Sequence, residues 1–227
     1  MSGRKERTAR GWTIIDGALI AASLVILGLL CRPEGPIGRR WMDWRTSRES
    51  TAIVREHWSS LVSGSTALGN RDSETVLVAF LDYECPYCRL AHSAIEEFLA
   101  GFPEARVVVR HLPLSQLHPM AEDAALAALC AGGLGWFPAV HEYLMEESEW
   151  RDTEGEFEIG LGLGLGDDPR FRMCLEQEDS RDLLDQDIAL ARSLRLSGTP
   201  AFITWSGVHR GGPVTPALLA SLAGLAR

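Results

Sequence analysis

The sequence predicts an α/β fold with an inserted α-helical domain, preceded by one N-terminal transmembrane helix. Three observations support this prediction: an apolar run near the N-terminus, a strand–helix–strand pattern over residues 75–110, and a second strand pair after residue 200. Between the two strand regions, residues 116–194 show the apolar spacing of helices. We therefore expect the order βαβ, helical insertion, ββα, which is a mixed α/β domain.

The N-terminus is predicted to anchor the chain in a membrane. Residues 1–11 form a basic tail and residues 12–31 form the anchor, because Trp12–Leu30 is apolar almost throughout. At about 1.5 Å per residue this run reaches about 28 Å, close to the hydrocarbon thickness of a bilayer. A cleaved signal peptide is the alternative, but Gly28-Leu29-Leu30 lacks the small-x-small cleavage pattern. Basic residues flank the run on both sides, so charge alone leaves its orientation open.

Residues 32–65 are predicted to be a juxtamembrane spacer. Pro33-Glu34-Gly35-Pro36 interrupts the preceding helix, and Ser50–Leu61 places apolar residues on one side of a second helix. Of the net charge of −9, residues 1–48 contribute about +5 and the rest of the chain about −14. An acidic domain without a basic stripe argues against nucleic acid as a partner, and the basic flanks suit anionic lipid.

The main domain is predicted to span residues 66–227 and to begin with a βαβ unit. Leu68-Gly69-Asn70 is typical of a turn. A strand follows at 75–81, then a helix at 85–100 and a β-branched strand at 105–110. Two strands joined by a helix are expected to be parallel, with a right-handed crossover.

The helical insertion covers about residues 116–194. Apolar spacing predicts helices at 121–131, 137–145, 169–175 and 180–194, whereas Ile159–Leu165 alternates with glycine and is a weak helix at best. After the insertion, a strand at 201–205, a hairpin turn at Ser206-Gly207, a strand at 208–210 and a last helix at 216–225 complete the domain. Pro216 suits the first turn of that helix.

Cys85-Pro86-Tyr87-Cys88 is the most informative motif of the chain. It follows a predicted strand and opens a predicted helix, so Cys85 faces the unpaired N–H groups and the positive dipole end of that helix. Such surroundings stabilise a thiolate. Two cysteines at this spacing also close a small disulfide between themselves, so the pattern indicates a dithiol/disulfide redox centre.

Half of a zinc site is the alternative interpretation of this spacing. Structural zinc usually needs a second close pair of cysteines or histidines. The remaining cysteines, Cys31, Cys130 and Cys174, are isolated in the sequence. We therefore predict no metal and no cofactor, and we expect Cys31, at the membrane edge, to be inert.

Four segments in the predicted domain carry a family resemblance: Phe80–Cys88, Arg110–Leu114, His118-Pro119 and Ser197–Phe202. In this order and spacing they resemble the DsbA-like thiol:disulfide oxidoreductases of the thioredoxin superfamily. The chain is most similar to the bacterial membrane-anchored group with an inserted helical domain. The resemblance implies a thioredoxin-like fold over about residues 66–227.

The resemblance also implies roles for four residues outside the cysteine motif. Pro200 is expected to be cis and to face the disulfide, with an ordinary trans turn proline as the alternative. The backbone of Thr199 would then lie beside Cys85, where a substrate chain can bind as an extra strand. Cys130 and Cys174 are expected to form a structural disulfide worth about 2–4 kcal/mol. Two buried free cysteines are the alternative.

The sequence departs from the family pattern at the position six residues before the first cysteine. Thioredoxin-like proteins commonly carry a buried carboxylate there, and this chain has Ala79. Asp82 and Glu84 are nearer to the motif, but strand alternation does not establish that either faces Cys88. His92 is expected at the surface, and His118 is expected to begin a helix near the catalytic face.

These observations predict an extracytoplasmic thiol:disulfide oxidoreductase in which Cys85 is the exposed sulfur that a substrate thiolate attacks, with Pro86 and Tyr87 adding no charge. We expect it to oxidise protein thiols and to be reoxidised by a quinone-linked membrane partner. The expected location is the bacterial inner membrane, single-pass, with the catalytic domain on the periplasmic side. A reductase or isomerase of the same fold is one alternative, and a redox-silent peptide-binding module is another.

Overall fold

The computed structural model describes residue 23 and residues 36–64, 66–152 and 155–225. The predicted anchor at 12–31, apart from Ser23, and Cys31 lie outside the described residues. Within the part of the chain that is described, no helix is both long and apolar enough to cross a membrane. The chain divides into two units, Met1–Glu49 and Ser50–Arg227.

Five strands form one mixed sheet in the order β1-β3-β2-β4-β5. The strands are β1 (Ala67–Gly69), β2 (Val76–Leu81), β3 (Arg106–His111), β4 (Ala201–Thr204) and β5 (Gly207–Arg210). β2 and β3 are parallel, and the other neighbouring pairs are antiparallel. Almost every residue of β2 and β3 is buried, which explains why both strands are continuously apolar or β-branched rather than alternating.

The helices follow the predicted order. They are α1 (Pro36–Val62), α2 (Pro86–Gly101), α3 (Ala121–Gly133), α4 (Phe137–Glu146), a 3₁₀ turn (Glu149–Asp152), α5 (Glu156–Gly162), α6 (Pro169–Glu176), α7 (Glu178–Ser193) and α8 (Pro216–Leu222). α2 links β2 to β3 and packs against α8. α3 packs against α4, α5, α6 and α7, so it is the central helix of the insertion.

Two hydrophobic cores cover the two faces of the sheet. One contains Ile95 and Phe98 of α2 together with Leu77 and Val109, and it extends into the insertion. The other contains Val54 and Leu61 of α1, packed with Val78 and residues from the end of α7. The sheet is therefore buried on both sides, as parallel strands require.

Three predictions of secondary structure and domain boundaries need correction. Leu68 and Gly69 of the predicted turn belong to β1, which pairs with β3, and Asn70 follows the strand. The predicted weak helix at 159–165 is α5, which begins three residues earlier, at Glu156. The predicted spacer at 32–65 ends in helix α1, and the compact unit begins at Ser50 rather than at residue 66 because Val54 and Leu61 are fully buried.

A buried ion pair joins α1, β3 and α7. The Arg110 guanidinium donates to Asp187 Oδ1 at 2.8 Å and, through Nε, to the carbonyl of Leu61 at 3.1 Å. It also donates to the carbonyls of Ser60 and Ser63. Asp187 is fully buried and accepts from the backbone N–H of the next residue of β3 at 2.9 Å. The end of α1 is thus held to the domain by polar contacts as well as by its apolar side chains.

Candidate active site

Cys85 lies where the chain leaves the central strand β2 and enters α2. It is the N-cap residue of α2, with extended backbone angles (φ −68°, ψ 120°), and Pro86 occupies the first turn. The backbone N–H groups of Cys88 and Arg89 donate to the Cys85 carbonyl at 3.0 and 3.2 Å. Proline suits this position because its missing N–H would have no helical partner. The predicted strand–motif–helix arrangement is therefore the one observed.

The two sulfurs of the motif occupy different surroundings. Both cysteines are free thiols, and Cys85 is 4% exposed whereas Cys88 is fully buried. The expectation of an exposed Cys85 holds only relative to Cys88. Their neighbours Pro86 and Tyr87 are exposed, Tyr87 at 69%. Cys85 is therefore the sulfur that a partner can reach, at the edge of an otherwise closed site.

The pKa values of the two thiols are shifted in opposite directions. The hydrogen bond from Cys88 is the largest cause that lowers the pKa of Cys85. Burial raises this pKa, and contacts with Thr199 and with the N–H groups of Cys88 and Tyr87 lower it further. The pKa of Cys85 is lowered to about 5 as a result. Burial, followed by the hydrogen bond to Cys85, raises the pKa of Cys88 far above its ordinary value. At neutral pH the pair is one thiolate and one thiol.

The loop before β4 closes the site from the other side. The Thr199–Pro200 peptide bond is cis, and the carbonyl oxygen of Thr199 lies 3.5 Å from the Sγ of Cys85. The register of the sheet accounts for this proximity, because Ala201 pairs with Phe80 near the end of β2. Thr199 and Pro200 are both partly exposed, so they lie at the surface beside Cys85.

Asp82 connects the buried thiol to a histidine. Its backbone N–H contacts the Sγ of Cys88 at 3.4 Å, and its carboxylate accepts from the N–H of Leu114 at 2.8 Å and pairs with His118 Nδ1 at 2.8 Å. The Asp82 side chain is fully buried, whereas that of His118 is 18% exposed. Burial lowers the pKa of His118, but the hydrogen bond and charge of Asp82, helped by Cys85 and Glu84, raise that pKa overall.

Ala79 and Glu84 differ in what they contribute here. Ala79 is buried in β2 and offers no proton-transfer group. The Glu84 carboxylate accepts from the backbone N–H of Met120 at 2.6 Å, at the start of α3, so it holds the insertion rather than facing Cys88. Strand alternation could not predict the direction of the Asp82 side chain, because β2 ends at Leu81 and Asp82 lies in the turn that follows.

His92 is buried rather than exposed at the surface, with 4% exposure. Its ring packs edge-to-face on His141, at 5.2 Å between centroids, and His141 shares a 3.0 Å hydrogen bond with the Tyr83 hydroxyl. Burial, then the neighbouring His92 and His111, lowers the pKa of His141 well below its ordinary value. In the sequence, only the helical spacing of His92 from Cys85 and Cys88 indicated that His92 lies on the same side of the helix as the cysteines.

The other two described cysteines form a disulfide in the insertion. Cys130 of α3 is bonded to Cys174 of α6, with 5.7 Å between their Cα atoms and a sequence separation of 44. This is the pairing that the family resemblance implied. The bridge is distant in sequence from the motif and ties together two helices that pack on each other.

A buried dithiol at a helix N-terminus, facing a cis-proline loop on a sheet of this order, defines the class of thioredoxin-like thiol–disulfide oxidoreductases. The family model described as Thioredoxin matches residues 62–219, which is more than half of the chain. The chain therefore belongs to the thioredoxin family.

Solved structures agree with this assignment. A thioredoxin-like oxidoreductase from Silicibacter pomeroyi is 29% identical with a TM-score of 0.59, covering 73% of this chain and 94% of that one. A linker-deletion mutant of Proteus mirabilis ScsC is 21% identical with a TM-score of 0.70, and the match covers 99% of this chain and 95% of the ScsC chain. The thiol-disulfide exchange protein α-DsbA2 of Wolbachia pipientis is 21% identical with a TM-score of 0.65, covering 78% and 96%. The predicted thioredoxin-like fold is confirmed.

The chain also matches part of some larger proteins. It is 34% identical over 143 residues to a protein named Na(+)/H(+) antiporter NhaA 3 in Salinispora tropica. That match covers 63% of this chain but only 22% of the antiporter. The match to a second such protein, from Salinispora arenicola, covers 24% of that protein. The chain thus spans less than a quarter of the length of these relatives, and the transport named for them is not assigned to it.

Proposed function

We propose that this protein is an extracytoplasmic oxidase of protein thiols that uses Cys85 and Cys88 as its redox pair. The observation that carries the proposal is the asymmetry of the pair: the pKa of Cys85 is about 5, whereas that of Cys88 is raised far above its ordinary value. Stabilising the Cys85 thiolate favours the reduced form of the enzyme, and the enzyme disulfide is then the better oxidant.

The first step is attack by a substrate thiolate on Cys85 Sγ of the oxidised enzyme. The Cys85–Cys88 bond breaks, a substrate–Cys85 disulfide forms, and Cys88 leaves with the electron pair and takes up a proton. Attack at Cys85 rather than Cys88 follows from access, because only Cys85 reaches the surface. The high pKa of Cys88 then keeps it protonated and slow to reverse the step.

The second step releases the oxidised substrate. A second substrate thiolate attacks the substrate sulfur of the mixed disulfide, the bond to Cys85 breaks, and Cys85 departs as a thiolate. Two electrons have moved from the substrate dithiol to the enzyme. A leaving thiol of low pKa leaves faster, so the lowered pKa of Cys85 assists this step.

Asp82 and His118 are assigned to proton movement at Cys88. The Asp82 backbone contacts Cys88 Sγ, its carboxylate binds His118, and His118 is partly open to solvent. This pair is the group nearest to the buried thiol to which we assign proton transfer, in a chain that has alanine at position 79. The charge of Cys85 raises the pKa of His118, so a protonated His118 favours the Cys85 thiolate in return.

Extended segments of unfolded proteins are the substrates that fit the surface. Tyr87, Leu90 and Leu117 are 69%, 71% and 75% exposed, and they belong to the segments that carry Cys85 and His118. An apolar surface of this kind suits a chain that has not yet buried its own apolar residues. Thr199, beside Cys85, offers backbone for strand-like pairing with such a chain.

The decisive measurement is the reduction potential of the Cys85/Cys88 pair, obtained by equilibration with glutathione. A value at or above the glutaredoxin range of about −200 to −230 mV supports an oxidase. A value well below that range overturns the direction and assigns a reductase or isomerase.

Location and partner are part of the same proposal. We assign residues 12–31 to a single-pass anchor in a bacterial inner membrane, with the domain on the periplasmic side and reoxidation by a quinone-linked membrane protein. The support is the apolar length of that segment and the disulfide in the insertion, which suits an oxidising compartment. Trapping on Cys85 in a Cys88→Ala variant, with identification of the bound proteins, tests both. Recovery of secreted proteins and a membrane oxidase supports the proposal, and recovery of cytoplasmic proteins alone contradicts it.

A further inference from the structure

We propose that His92, Glu96 and Glu146 form a binding site for one first-row divalent cation between α2 and α4. His92 Nε2 lies 3.6 Å from Glu96 Oε1 and 3.9 Å from Glu146 Oε1. One ligand atom from each of the three residues lies within 4.8 Å of the others. The sequence predicted no metal, from the cysteines alone. This cluster is separate from the cysteine pair and is formed only when α4 packs against α2.

The histidine is the observation that points to a ligand. His92 is 4% exposed, and among the described residues neither of its ring nitrogens has a hydrogen-bond partner. A buried polar group without a partner is costly, so native structures rarely leave one. The Nε2 atom faces the two carboxylates at distances too long for a hydrogen bond. Two ligands that share one cation at about 2.1 Å lie about 3.4 Å apart, which is close to the observed spacing.

The two carboxylates leave room for a cation and for water. Their side chains are 50% and 52% exposed. The groove beside them, of about 550 Å³, is lined by Pro86, Leu90, Ser93 and Met145 among others. Glu146 is the last residue of α4, whose C-terminal carbonyls favour positive charge. A cation here would keep open positions for solvent or for a group of a bound protein.

The donor set selects the kind of cation. One imidazole nitrogen and two carboxylate oxygens suit Mn²⁺, Fe²⁺ or Zn²⁺, whereas Mg²⁺ and Ca²⁺ prefer oxygen alone. Arg89 is the neighbouring cationic side chain, and its guanidinium donates to the carbonyls of Glu146 and Glu147. The same C-terminus of α4 thus already binds one positive group.

Binding would connect the insertion to the helix that carries the redox pair. His92 and Glu96 lie on α2, which starts directly after Cys85, and Glu146 comes from the insertion. A cation that binds all three groups would stabilise the packing of α4 on α2 in proportion to its occupancy. This inference is independent of the direction of electron flow.

The test uses the full-length chain in its oxidised form, because free Cys85 and Cys88 thiolates would compete for the metal. Mn²⁺ is titrated and followed by electron paramagnetic resonance. We expect one bound Mn²⁺ per chain with micromolar affinity. Glu96→Gln and Glu146→Gln should each weaken it by at least about tenfold. The matched control is Glu97→Gln, an exposed carboxylate on the same helix, which should bind as the unmodified chain does.

A second readout separates loss of the site from loss of the fold. Mn²⁺ should raise the melting temperature of the unmodified chain and of Glu97→Gln but not of the two site variants, whose metal-free circular dichroism should be unchanged. Absence of saturable binding in the unmodified chain overturns the proposal. Equal weakening by all three substitutions overturns it as well, because it would indicate nonspecific attraction to acidic surface.

Discussion

The two cysteine pairs of this protein have the same chemistry and opposite surroundings. Cys85 and Cys88 are three residues apart, at the first turn of a helix and beside a loop, and they are free thiols. Cys130 and Cys174 are 44 residues apart, on two packed helices, and they are bonded. The first pair is polarised by N–H groups, by a mutual hydrogen bond and by unequal burial.

The difference shows what separates a redox centre from a structural bridge. In the motif, stabilising one thiolate works against the bond, so the reduced form is favoured. In the insertion, the bond closes a long loop and restricts the unfolded chain, so the oxidised form is favoured. Position in the fold, rather than the cysteine itself, decides which form each pair prefers.

The largest expected effect is loss of activity on replacing Cys85, the sulfur that forms the mixed disulfide. Cys85→Ser should reduce thiol–disulfide exchange by at least roughly 10³-fold, as removal of an essential catalytic group does in other enzymes. Activity is measured as oxidation of a dithiol peptide. At pH 5, where the Cys85 thiolate contributes little stability, the melting temperature should match that of the reduced unmodified protein, because serine keeps the size of the side chain. Retention of exchange in this variant would show that Cys85 does not form the mixed disulfide.

Next in size is the loss of the structural bridge. Replacing both Cys130 and Cys174 by alanine should lower the free energy of unfolding by about 2–4 kcal/mol, because the unfolded chain is no longer cross-linked. Urea unfolding of the oxidised protein measures this change. The potential of the Cys85/Cys88 pair should stay the same, and a shift in it would contradict the separation of the two pairs.

The third prediction concerns pH and the mutual hydrogen bond of the active pair. Because the pKa of Cys85 is lowered from 9.0 to about 5, the reduced protein should gain stability as pH rises from about 5 to 9 and lose it as pH falls through 5. The oxidised protein lacks this contribution, so the stability of the reduced form relative to the oxidised form should increase with pH over that range. Urea unfolding of both forms checks the sign.

Cys88→Ala sharpens the same point by removing the largest cause of the shift. The pKa of Cys85, followed by thiolate absorbance at 240 nm, should rise by at least about one unit. Cys88→Ser keeps an O–H donor and is the matched control, expected to retain most of the shift. Equal pKa values in the two variants would assign the shift to the helix N-terminus instead.

The smallest expected effect belongs to His118. His118→Asn keeps a hydrogen-bonding side chain opposite Asp82 but removes the positive charge, so the pKa of Cys85 should rise by less than about one unit. The pH dependence of the exchange rate should lose the inflection that belongs to His118. If the pKa of Cys85 and the pH dependence of the exchange rate are the same in His118→Asn as in the unmodified protein, the role of His118 is only to hold the loop in place.

The sequence predicted the sheet and the motif because both depend on short-range patterns. Val76–Leu81 is apolar along its length, and Pro86 can occupy only the first turn of a helix, so strand, motif and helix could be placed within a residue. β1 was missed because three residues ending in Gly69 carry no strand pattern, and only pairing with β3 makes them a strand.

The environment of the site depends on long-range packing, which sequence reasoning could not resolve. Asp82 and His118 are 36 residues apart, and only the fold brings them to 2.8 Å. His92 looked like a surface residue because nothing local indicates that α4 covers it. The pairing of Cys130 with Cys174 followed from the family resemblance, not from their spacing.

The contacts of Arg110 determine where the domain can be cut. Its guanidinium is buried and depends on the carbonyls of Ser60, Leu61 and Ser63 at the end of α1. A recombinant fragment that starts at residue 66 would keep the ion pair with Asp187 but remove these three carbonyl acceptors, and it would uncover one face of the sheet. Any proteolytic release of a stable domain therefore requires cleavage ahead of Ser50.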